Sequence, residues 1–280
     1  DSGAYSVVVK NTAGEATSED AQVTIYQPVI ITLQPQPARA ISGETAVLRV
    51  EAAGSEPLAY QWLFNNSQIA GATSSELTVA NVGGANEGSY QVVISNPAGR
   101  VVSEEARLAV VQPVQILVQP KGAEKTRGEE LSLKVAVSGT QPAYQWFKDD
   151  EIIEGATKPK LTFSEMHTSD SGMYRVTITN EAGEVLSEEA VVTVYDPIAI
   201  TQQPVPTRKI QGTTASFSVG ATGSEPLTYQ WRFNNQAIPG ETLSTLTLPN
   251  VQLVAAGSYQ VVVKNPVGTV ASQEVKLSLI

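Results

Sequence analysis

Hydrophobic and polar positions alternate in short runs along most of the chain. In residues 43–50 (Gly-Glu-Thr-Ala-Val-Leu-Arg-Val) apolar side chains recur at every second position, a pattern that predicts a strand with one buried face. Clusters of Gly, Pro and Asn, such as residues 54–57 and 96–99, separate the runs and predict turns. Helical periodicity is limited to one turn near residues 164–169. Short strands at regular spacing predict an all-β sandwich architecture.

The strand pattern repeats about every 85 residues. Three copies of Tyr-Gln-Trp are each followed, 28 residues after the tryptophan, by the tyrosine of a Gly-x-Tyr segment. The motif residues are Trp62, Trp146 and Trp231, and Tyr90, Tyr174 and Tyr259. An internal repeat of this length predicts three domains. We place them at residues 28–112, 113–196 and 197–280 and call them repeats 1, 2 and 3.

Residues 1–27 match only the end of a repeat. Gly3-Ala4-Tyr5 corresponds to the Gly-x-Tyr segment, and Asn11-Thr12-Ala13-Gly14 corresponds to the following turn. We therefore interpret residues 1–27 as the last two strands, F and G, of a truncated domain, in a chain taken from a longer tandem array. The alternative is that this hairpin completes a neighbouring molecule.

Each repeat resembles an immunoglobulin-like domain of the I-set kind. The motifs that carry the resemblance are the Gly-led strand, the Tyr-Gln-Trp strand, the Asp-Ser-Gly-Met-Tyr-Arg-Val segment at residues 170–176 and its counterparts, and the Asn-x-x-Gly turn. In particular, the repeats resemble the cysteine-free repeats that are common in large exported bacterial proteins. It implies Greek-key β-sandwiches in tandem, with the tryptophans in the core and the tyrosines as tyrosine corners.

The chain departs from the immunoglobulin pattern at the two positions that usually hold the inter-sheet disulfide. Valine occupies both positions in every repeat, in the pairs Val50 and Val92, Val135 and Val176, and Val219 and Val261. A disulfide closing such a loop would contribute ~4 kcal/mol, whereas two buried valines contribute roughly 1.5–3 kcal/mol each. Because the substitution is the same in all three repeats, we expect a packed apolar pair.

Composition excludes several classes of function. The net charge of −10 opposes binding to nucleic acid, and no apolar run is long enough to span a membrane. The chain has no cysteine and a single histidine, His167, so thiol chemistry and cysteine metal sites are excluded. We predict no catalytic, cofactor or metal site and no enzymatic activity.

A few residues allow a functional interpretation beside a structural one. Phe147 should point to the face opposite Trp146 and could be a contact point or a singly exposed aromatic. Acidic residues in repeat 2 could form a weak calcium site or simply be solvated: Asp149, Asp150, Glu151, Glu188 and Glu189. The net charges of repeats 1, 2 and 3 are −3, −6 and +2, which could steer contacts between molecules or reflect drift on solvated faces.

The resemblance implies a non-enzymatic, extracellular structural segment of a larger surface or adhesion protein, such as a stalk, scaffold or filament component. The short joins, for example residues 110–114, predict a stiff, elongated rod. The expected partners are other domains of a longer chain, further copies of the protein, or a protein or glycan ligand. Two alternatives are a glycan- or protein-binding adhesion module acting through loops such as residues 54–57 and 96–99, and accessory domains of an exported enzyme.

Overall fold

The computed structural model describes residues 1–280 and is built almost entirely of β-strands. Residues 1–27 form β1 Gly3–Tyr5, β2 Val8–Asn11, β3 Gly14–Thr17 and β4 Ala21–Val23. Repeat 1 contains β5 Ile30–Leu33, β6 Ala38–Ile41, β7 Ala46–Arg49, β8 Glu51–Ala53, β9 Ala59–Phe64, β10 Ser67–Gln68, β11 Glu76–Val79, β12 Gly88–Asn96, β13 Gly99–Val102 and β14 Ala106–Val111.

Repeats 2 and 3 contain the same strands in the same order. Repeat 2 contains β15 Gln115–Val118, β16 Ala123–Thr126, β17 Leu131–Lys134, β18 Ala136–Ser138, β19 Ala143–Lys148, β20 Glu151–Ile152, β21 Lys160–Phe163, β22 Gly172–Asn180, β23 Gly183–Leu186 and β24 Ala190–Tyr195. Repeat 3 contains β25 Ala199–Gln202, β26 Thr207–Lys209, β27 Ala215–Ser218, β28 Gly220–Thr222, β29 Thr228–Phe233, β30 Gln236–Ala237, β31 Thr245–Leu248, β32 Gly257–Asn265, β33 Gly268–Ala271 and β34 Val275–Leu279.

Each repeat places its strands in two sheets. In repeat 1 the larger sheet has the order β10-β9-β12-β14-β6, with β13 beside β12, and β6 runs parallel to β14. The smaller sheet consists of the pairs β5 with β8 and β7 with β11. One turn of 3₁₀ helix precedes the tyrosine strand of each repeat, at Gly84–Asn86, Thr168–Asp170 and Leu253–Ala255. The sequence indicated such a turn only in repeat 2.

The chain divides into two compact units. The first comprises residues 1–114 together with 138–141 and 180–183, and the second comprises residues 115–137, 142–179 and 184–280. The first unit thus contains the hairpin, repeat 1 and two loops of repeat 2, while the second contains the rest of repeat 2 and repeat 3. The three domain boundaries drawn from the sequence remain a prediction.

The motif tryptophans are fully buried between the sheets. Trp62 lies directly across from Val92 in the β9–β12 ladder, and repeats 2 and 3 have the same register. The indole Nε1–H of Trp62 donates to the carbonyl of Ser74 at 2.9 Å. Val50 is buried in the same apolar cluster. The indole N–H of the buried tryptophan therefore has a hydrogen-bond acceptor, and the side chains around it are apolar.

The glutamine of the Tyr-Gln-Trp motif hydrogen-bonds to the segment that lies along the outer edge of the tryptophan strand. Gln61 Nε2 donates to the carbonyls of Trp62 and Ile69, at 2.9 and 2.8 Å. The backbone of Trp62 bonds to Ile69 and Ala72 in the segment that crosses to the other sheet. Gln145 and Gln230 make the same contacts in the other repeats. The segment after β10 therefore lies against β9 as irregular chain.

The motif tyrosines are buried and hydrogen-bonded to the preceding 3₁₀ turn. Tyr174 Oη donates to the carbonyl of Asp170 at 2.7 Å, and Tyr90 and Tyr259 bond in the same way to Asn86 and Ala255. Burial raises the pKa of all three tyrosines. For Tyr174 the pKa rises to about 12, because the charges of Asp170 and Asp149 add to the effect of burial.

Each repeat also buries one serine hydroxyl that the motifs do not reveal. Ser187 Oγ accepts a hydrogen bond from the backbone N–H of Val176 at 3.0 Å and donates to the carbonyl of Glu188 at 2.9 Å. Ser103 and Ser272 do the same in repeats 1 and 3. The hydroxyl thus satisfies the backbone N–H of the central valine in each repeat.

Residues 1–27 expose the face that a complete repeat buries. In this segment β1 pairs with β4 and β2 pairs with β3. The side chain of Tyr5 is 51% exposed, whereas the equivalent Tyr90 of repeat 1 is 2% exposed. Val7 and Val9, equivalent to the fully buried Val92 and Ile94, are also exposed. The strands that cover this face in repeat 1 have no counterpart within residues 1–27.

We expect Tyr174 to make repeat 2 sensitive to alkaline pH. The folded state holds the phenol proton more tightly than the unfolded state, whose tyrosine pKa is 10.0. The resulting stability is complete below pH 10 and is lost as the pH rises towards about 12. Urea unfolding at a series of pH values measures this loss. Tyr174→Phe should reduce the loss in the free energy of unfolding between pH 10 and about 12. An unchanged loss in the variant would show that the Tyr174 phenol is not its source.

Ser187→Ala should lower the free energy of unfolding of repeat 2 by about 1–3 kcal/mol, because the buried N–H of Val176 loses its acceptor. Chemical denaturation followed by tryptophan fluorescence measures the change. The exposed Ser164→Ala is the matched control and should alter stability by less than about 0.5 kcal/mol. Equal effects of the two substitutions would argue against a structural role of the buried hydroxyl.

Candidate functional site: the linker clamps

Every repeat forms hydrogen bonds to the residue that immediately precedes it. We call Gln27, Gln112 and Asp196 the linker residues. Two groups of the following repeat hold each one: a hydroxyl residue in the loop before the tryptophan strand and an asparagine at the end of the tyrosine strand. We call these assemblies linker clamps, and their members are Ser55 and Asn96 in repeat 1, Thr140 and Asn180 in repeat 2, and Ser224 and Asn265 in repeat 3.

The clamp of repeat 2 lies wholly within the first compact unit. The N–H of Gln112 donates to Thr140 Oγ1 at 2.8 Å. Its carbonyl accepts from the backbone N–H of Thr140 at 3.0 Å and from Asn180 Nδ2 at 2.7 Å. Both backbone groups of the linker residue are therefore hydrogen-bonded, as a residue inside a strand would be.

The other two clamps have the same geometry. The N–H of Gln27 donates to Ser55 Oγ at 2.8 Å, and its carbonyl accepts from Asn96 Nδ2 at 2.8 Å. In the second compact unit, the N–H of Asp196 donates to Ser224 Oγ at 2.7 Å, and its carbonyl accepts from Asn265 Nδ2 at 3.0 Å. One arrangement thus recurs with different linker side chains.

The clamp asparagine joins the linker to the hairpin turn. Asn180 Oδ1 accepts from the N–H of Ala182 at 2.9 Å, which closes the turn after the tyrosine strand. The amide nitrogen of Asn180 also donates to the carbonyl of Thr140 at 2.9 Å. The side chain therefore uses both its donor and its acceptor ends. A carboxylate would retain the acceptor and lose the donor.

Glycine before the hydroxyl residue lets the linker approach closely. Gly139 has φ +115°, and a Cβ there would lie 2.8 Å from both the carbonyl oxygen of Pro113 and the Cα of Val114. Gly54 and Gly223 have positive φ and similarly close backbone contacts in the other clamps. A side chain at this position would push the linker backbone away.

Charged side chains beside the clamps differ between repeats. Asp196 Oδ1 lies 3.1 Å from Arg127 Nη1, and the N–H of Arg127 donates to the carbonyl of Tyr195. Beside the clamp of repeat 2, Arg39 Nε lies 2.6 Å from Glu181 Oε2. These pairs are solvent-exposed and contribute at most about 1 kcal/mol each. The backbone contacts, which are common to all repeats, define the clamp.

The other candidate residues occupy structural positions. Asp149 and Asp150 form the hairpin turn between β19 and β20 with φ of 49° and 69°. Asp149 accepts from the N–H of Met173, and Asp150 pairs with Arg175. His167 precedes the 3₁₀ turn, and Phe147 is partly buried across from Arg175. No group of three or more His, Cys, Asp or Glu residues could hold a metal ion.

A hollow of about 410 Å³ adjoins the clamp of repeat 1. Its lining is Gln27, Pro28, Ile30, Ala53, Gly54 and Ser55. This lining contains no titratable side chain, and the hydroxyl of Ser55 already accepts from the linker. The chain also contains no helix with the length and apolar character needed to cross a bilayer.

Comparison with known proteins identifies the domains. Residues 27–96 and 199–265 match the family model of the immunoglobulin domain, and residues 114–194 match that of the immunoglobulin I-set domain. The chain belongs to the immunoglobulin domain family. The prediction of tandem immunoglobulin-like sandwiches is therefore confirmed.

This immunoglobulin chain is similar to two proteins that are many times longer and to a solved fragment of similar length. It is 30% identical over 301 residues to the muscle M-line assembly protein unc-89 of Caenorhabditis elegans, covering 96% of this chain and 4% of that protein. It is 31% identical over 176 residues to the cell adhesion molecule DSCAML1 of Mus musculus, which covers 56% of this chain and 8% of that protein. The I-band fragment I67-I69 from titin superimposes with a TM-score of 0.76 at 20% identity, covering 90% of this chain and 99% of the fragment. The likeness to titin shows the fold.

The sequence predicts turns at residues 54–57 and 96–99 that could bind a ligand, but it does not reveal the clamp. The available signal was a Ser or Thr after glycine in one loop and an Asn at the start of the other, present in all three repeats. The linker itself carries no common side chain, because the clamp bonds to its backbone.

Two substitutions separate the two functions of the clamp asparagine. In Asn180→Asp the turn acceptor remains and the donor to Gln112 is lost, whereas Asn180→Ala loses both. Asn180 donates to the carbonyl of Gln112, whereas the Gln112 N–H donates to Thr140 Oγ1. Because loss of the bond to the carbonyl loosens the whole linker residue, hydrogen exchange of the Gln112 amide should accelerate in both variants by roughly tenfold, which corresponds to about 1.4 kcal/mol. The Ala182 amide should accelerate only in Asn180→Ala. Unchanged exchange at Gln112 in both variants would show that the asparagine does not hold the linker.

Proposed function

We propose that this chain is a non-enzymatic structural repeat segment of a larger protein, such as a stalk, scaffold or filament component. The observation that carries the proposal is the linker clamp, which recurs in all three repeats with the same backbone hydrogen bonds. A clamp of this kind holds the linker residue to the repeat that follows it, and it provides no chemistry for a substrate.

The clamps leave few freely rotating bonds in the joins. Strand β14 ends at Val111 and β15 begins at Gln115. Of the three residues between them, Gln112 is clamped on both backbone groups, Pro113 has a restricted φ, and Val114 is 4% exposed. The join of repeats 2 and 3 has the same plan, with Asp196, Pro197 and Ile198. A linker of this kind is suited to a spacer.

The same contacts weigh against ligand binding through the loops named above. The hydroxyl of Ser55 and the amide of Asn96 both already bond to Gln27, and the carboxylate of Glu56 accepts from the N–H of Leu58. A ligand would have to displace the linker or use the exposed tip of the turn. We therefore rank the glycan- or protein-binding module second and the accessory domains of an exported enzyme third.

We propose an extracellular location at a cell surface. DSCAML1 carries the name of a cell adhesion molecule, which supports this location, whereas unc-89 is named as a muscle assembly protein. Both names describe proteins that assemble or adhere, and both proteins are many times longer than this chain. The bacterial origin and the filament role suggested by the cysteine-free repeats remain part of the proposal.

NMR relaxation measurements on the full chain test the spacer function. Amide ¹⁵N relaxation reports the tumbling of each repeat, and we expect repeats 2 and 3 to tumble with a common correlation time because the clamp couples them. Inserting Gly-Gly between Tyr195 and Asp196 leaves the clamp of repeat 3 intact but adds free rotation before it, so the two repeats should then tumble separately. Independent tumbling of the unmodified repeats would contradict the spacer proposal.

A glycan array and a screen of immobilised adhesion ectodomains test the second-ranked function, the glycan- or protein-binding module. The spacer proposal expects no binding above background by the unmodified chain. Specific binding that Pro97→Ala or Ala98→Glu at the exposed turn abolishes would favour the binding module instead.

A further inference from the structure

The smaller sheet of every repeat ends in an open edge. Strands β11, β21 and β31 each pair on one side only, with β7, β17 and β27. The segment that could have supplied a further strand is bound instead to the tryptophan strand of the other sheet, through the contacts of Trp231 with Ile238 and Glu241 in repeat 3. An open edge presents unpaired N–H and C=O groups to any other extended chain.

In repeat 3 the register identifies the unpaired groups. The N–H of Val219 donates to the carbonyl of Ser244, so Val219 and Ser244 form a hydrogen-bonded pair. In an antiparallel ladder such pairs alternate with non-bonded ones. Leu246 and Leu248 therefore bond to β27, and the N–H and C=O groups of Thr245 and Thr247 point away from the sheet.

The edge of repeat 3 lacks the charges found at the other two edges. In repeat 1, Glu76 on β11 pairs with Arg49 at 2.8 Å. In repeat 2, Lys158, Pro159 and Lys160 occupy the start of the edge. Charged residues and proline at these positions oppose pairing with another strand. Residues 242–249 of repeat 3 contain no charged residue, and their one proline, Pro249, lies after the end of β31.

Leucine occupies the exposed position that precedes the edge of repeat 3. The carbonyl of Leu243 accepts from Trp231 Nε1, as those of Ser74 and Lys158 do for their tryptophans. The three residues are therefore equivalent. The side chain of Leu243 is 71% exposed. The exposed leucine therefore adds apolar surface beside an uncharged open strand.

We propose that the outer edge of β31 pairs antiparallel with the same strand of a second copy of this chain. With Leu246 opposite Leu246 of the second copy, Thr245 faces Thr247 and Thr247 faces Thr245. Each of these pairs exchanges two N–H···O bonds through the groups that are unpaired in one copy. The strand is self-complementary in this register, because threonine meets threonine and no charge meets a like charge.

The proposed contact is small. A four-residue edge covers much less than the ~1,200–2,000 Å² of a stable interface, so we expect a transient dimer with a dissociation constant on the order of 0.1–1 mM. In an array that carries several such edges the contact would be strengthened by effective concentration.

Disulfide trapping tests both the pairing and its register, since the chain contains no cysteine. Thr245→Cys and Thr247→Cys are exposed single substitutions whose folding can be checked by tryptophan fluorescence. Under mild oxidation, an equal mixture of the two variants should form crosslinked dimers at least about fivefold faster than either alone, because only residues 245 and 247 face each other at a distance that a disulfide spans.

Lys160→Cys and Thr162→Cys occupy the equivalent positions of repeat 2, whose edge keeps Lys158 and Pro159, and provide the matched control. Their mixture should crosslink no faster than either variant alone. Equal rates for the mixed and separate repeat 3 variants, or equally fast crosslinking of the repeat 2 pair, would overturn the proposal.

A second measurement does not depend on cysteine. Amide chemical shifts of the unmodified chain between about 20 μM and 1 mM should change at residues 242–249, and Thr245→Lys should abolish that change. Shifts confined to the exposed face of residues 1–27, or no concentration dependence at all, would also overturn the proposal.

Discussion

The burial of one tryptophan per repeat is the interaction on which the other features depend. Trp231 packs in the core across from Val261, and its indole N–H binds the carbonyl of Leu243. The backbone of Trp231 holds the chain from Ile238 to Glu241 against its own strand. Because the segment from Ile238 to Glu241 is hydrogen-bonded to Trp231, it cannot add a strand to the smaller sheet, and the edge of β31 stays open. Core packing and the exposed edge therefore have one cause.

Valine pairs replace the usual inter-sheet disulfide without loss of an ordered core. The valines of all three pairs are buried, and every buried side-chain polar atom has a hydrogen-bond partner. The tyrosine hydroxyls and the buried serines bind backbone groups at the margins of the same core. Packing and satisfied backbone groups together perform the role that a covalent bond has in other immunoglobulin domains.

The linker clamps extend the same principle to the joins. Each clamp satisfies the N–H and the C=O of one linker residue, so the linker side chain is free to vary. Gln112 and Asp196 differ in charge, and the surrounding ion pairs differ with them. The repeats can thus change their surface charge while retaining the backbone contacts. The edges have diverged in the same way, with charges at β11 and β21 and none at β31.

The fold class follows from local signals in the sequence, and the same signals point to the tryptophans, tyrosines and valines that the structure buries. A period of about 85 residues, strand alternation and the Tyr-Gln-Trp and Gly-x-Tyr motifs were sufficient, because these signals are local and occur three times. Features that depend on residues far apart in sequence become visible only in the folded chain. Asn180 meets Gln112 across 68 positions of sequence, and the bond is to a backbone carbonyl that every residue type provides. The open edge of β31 was likewise undetermined, since it results from where the neighbouring segment packs and not from the composition of the strand.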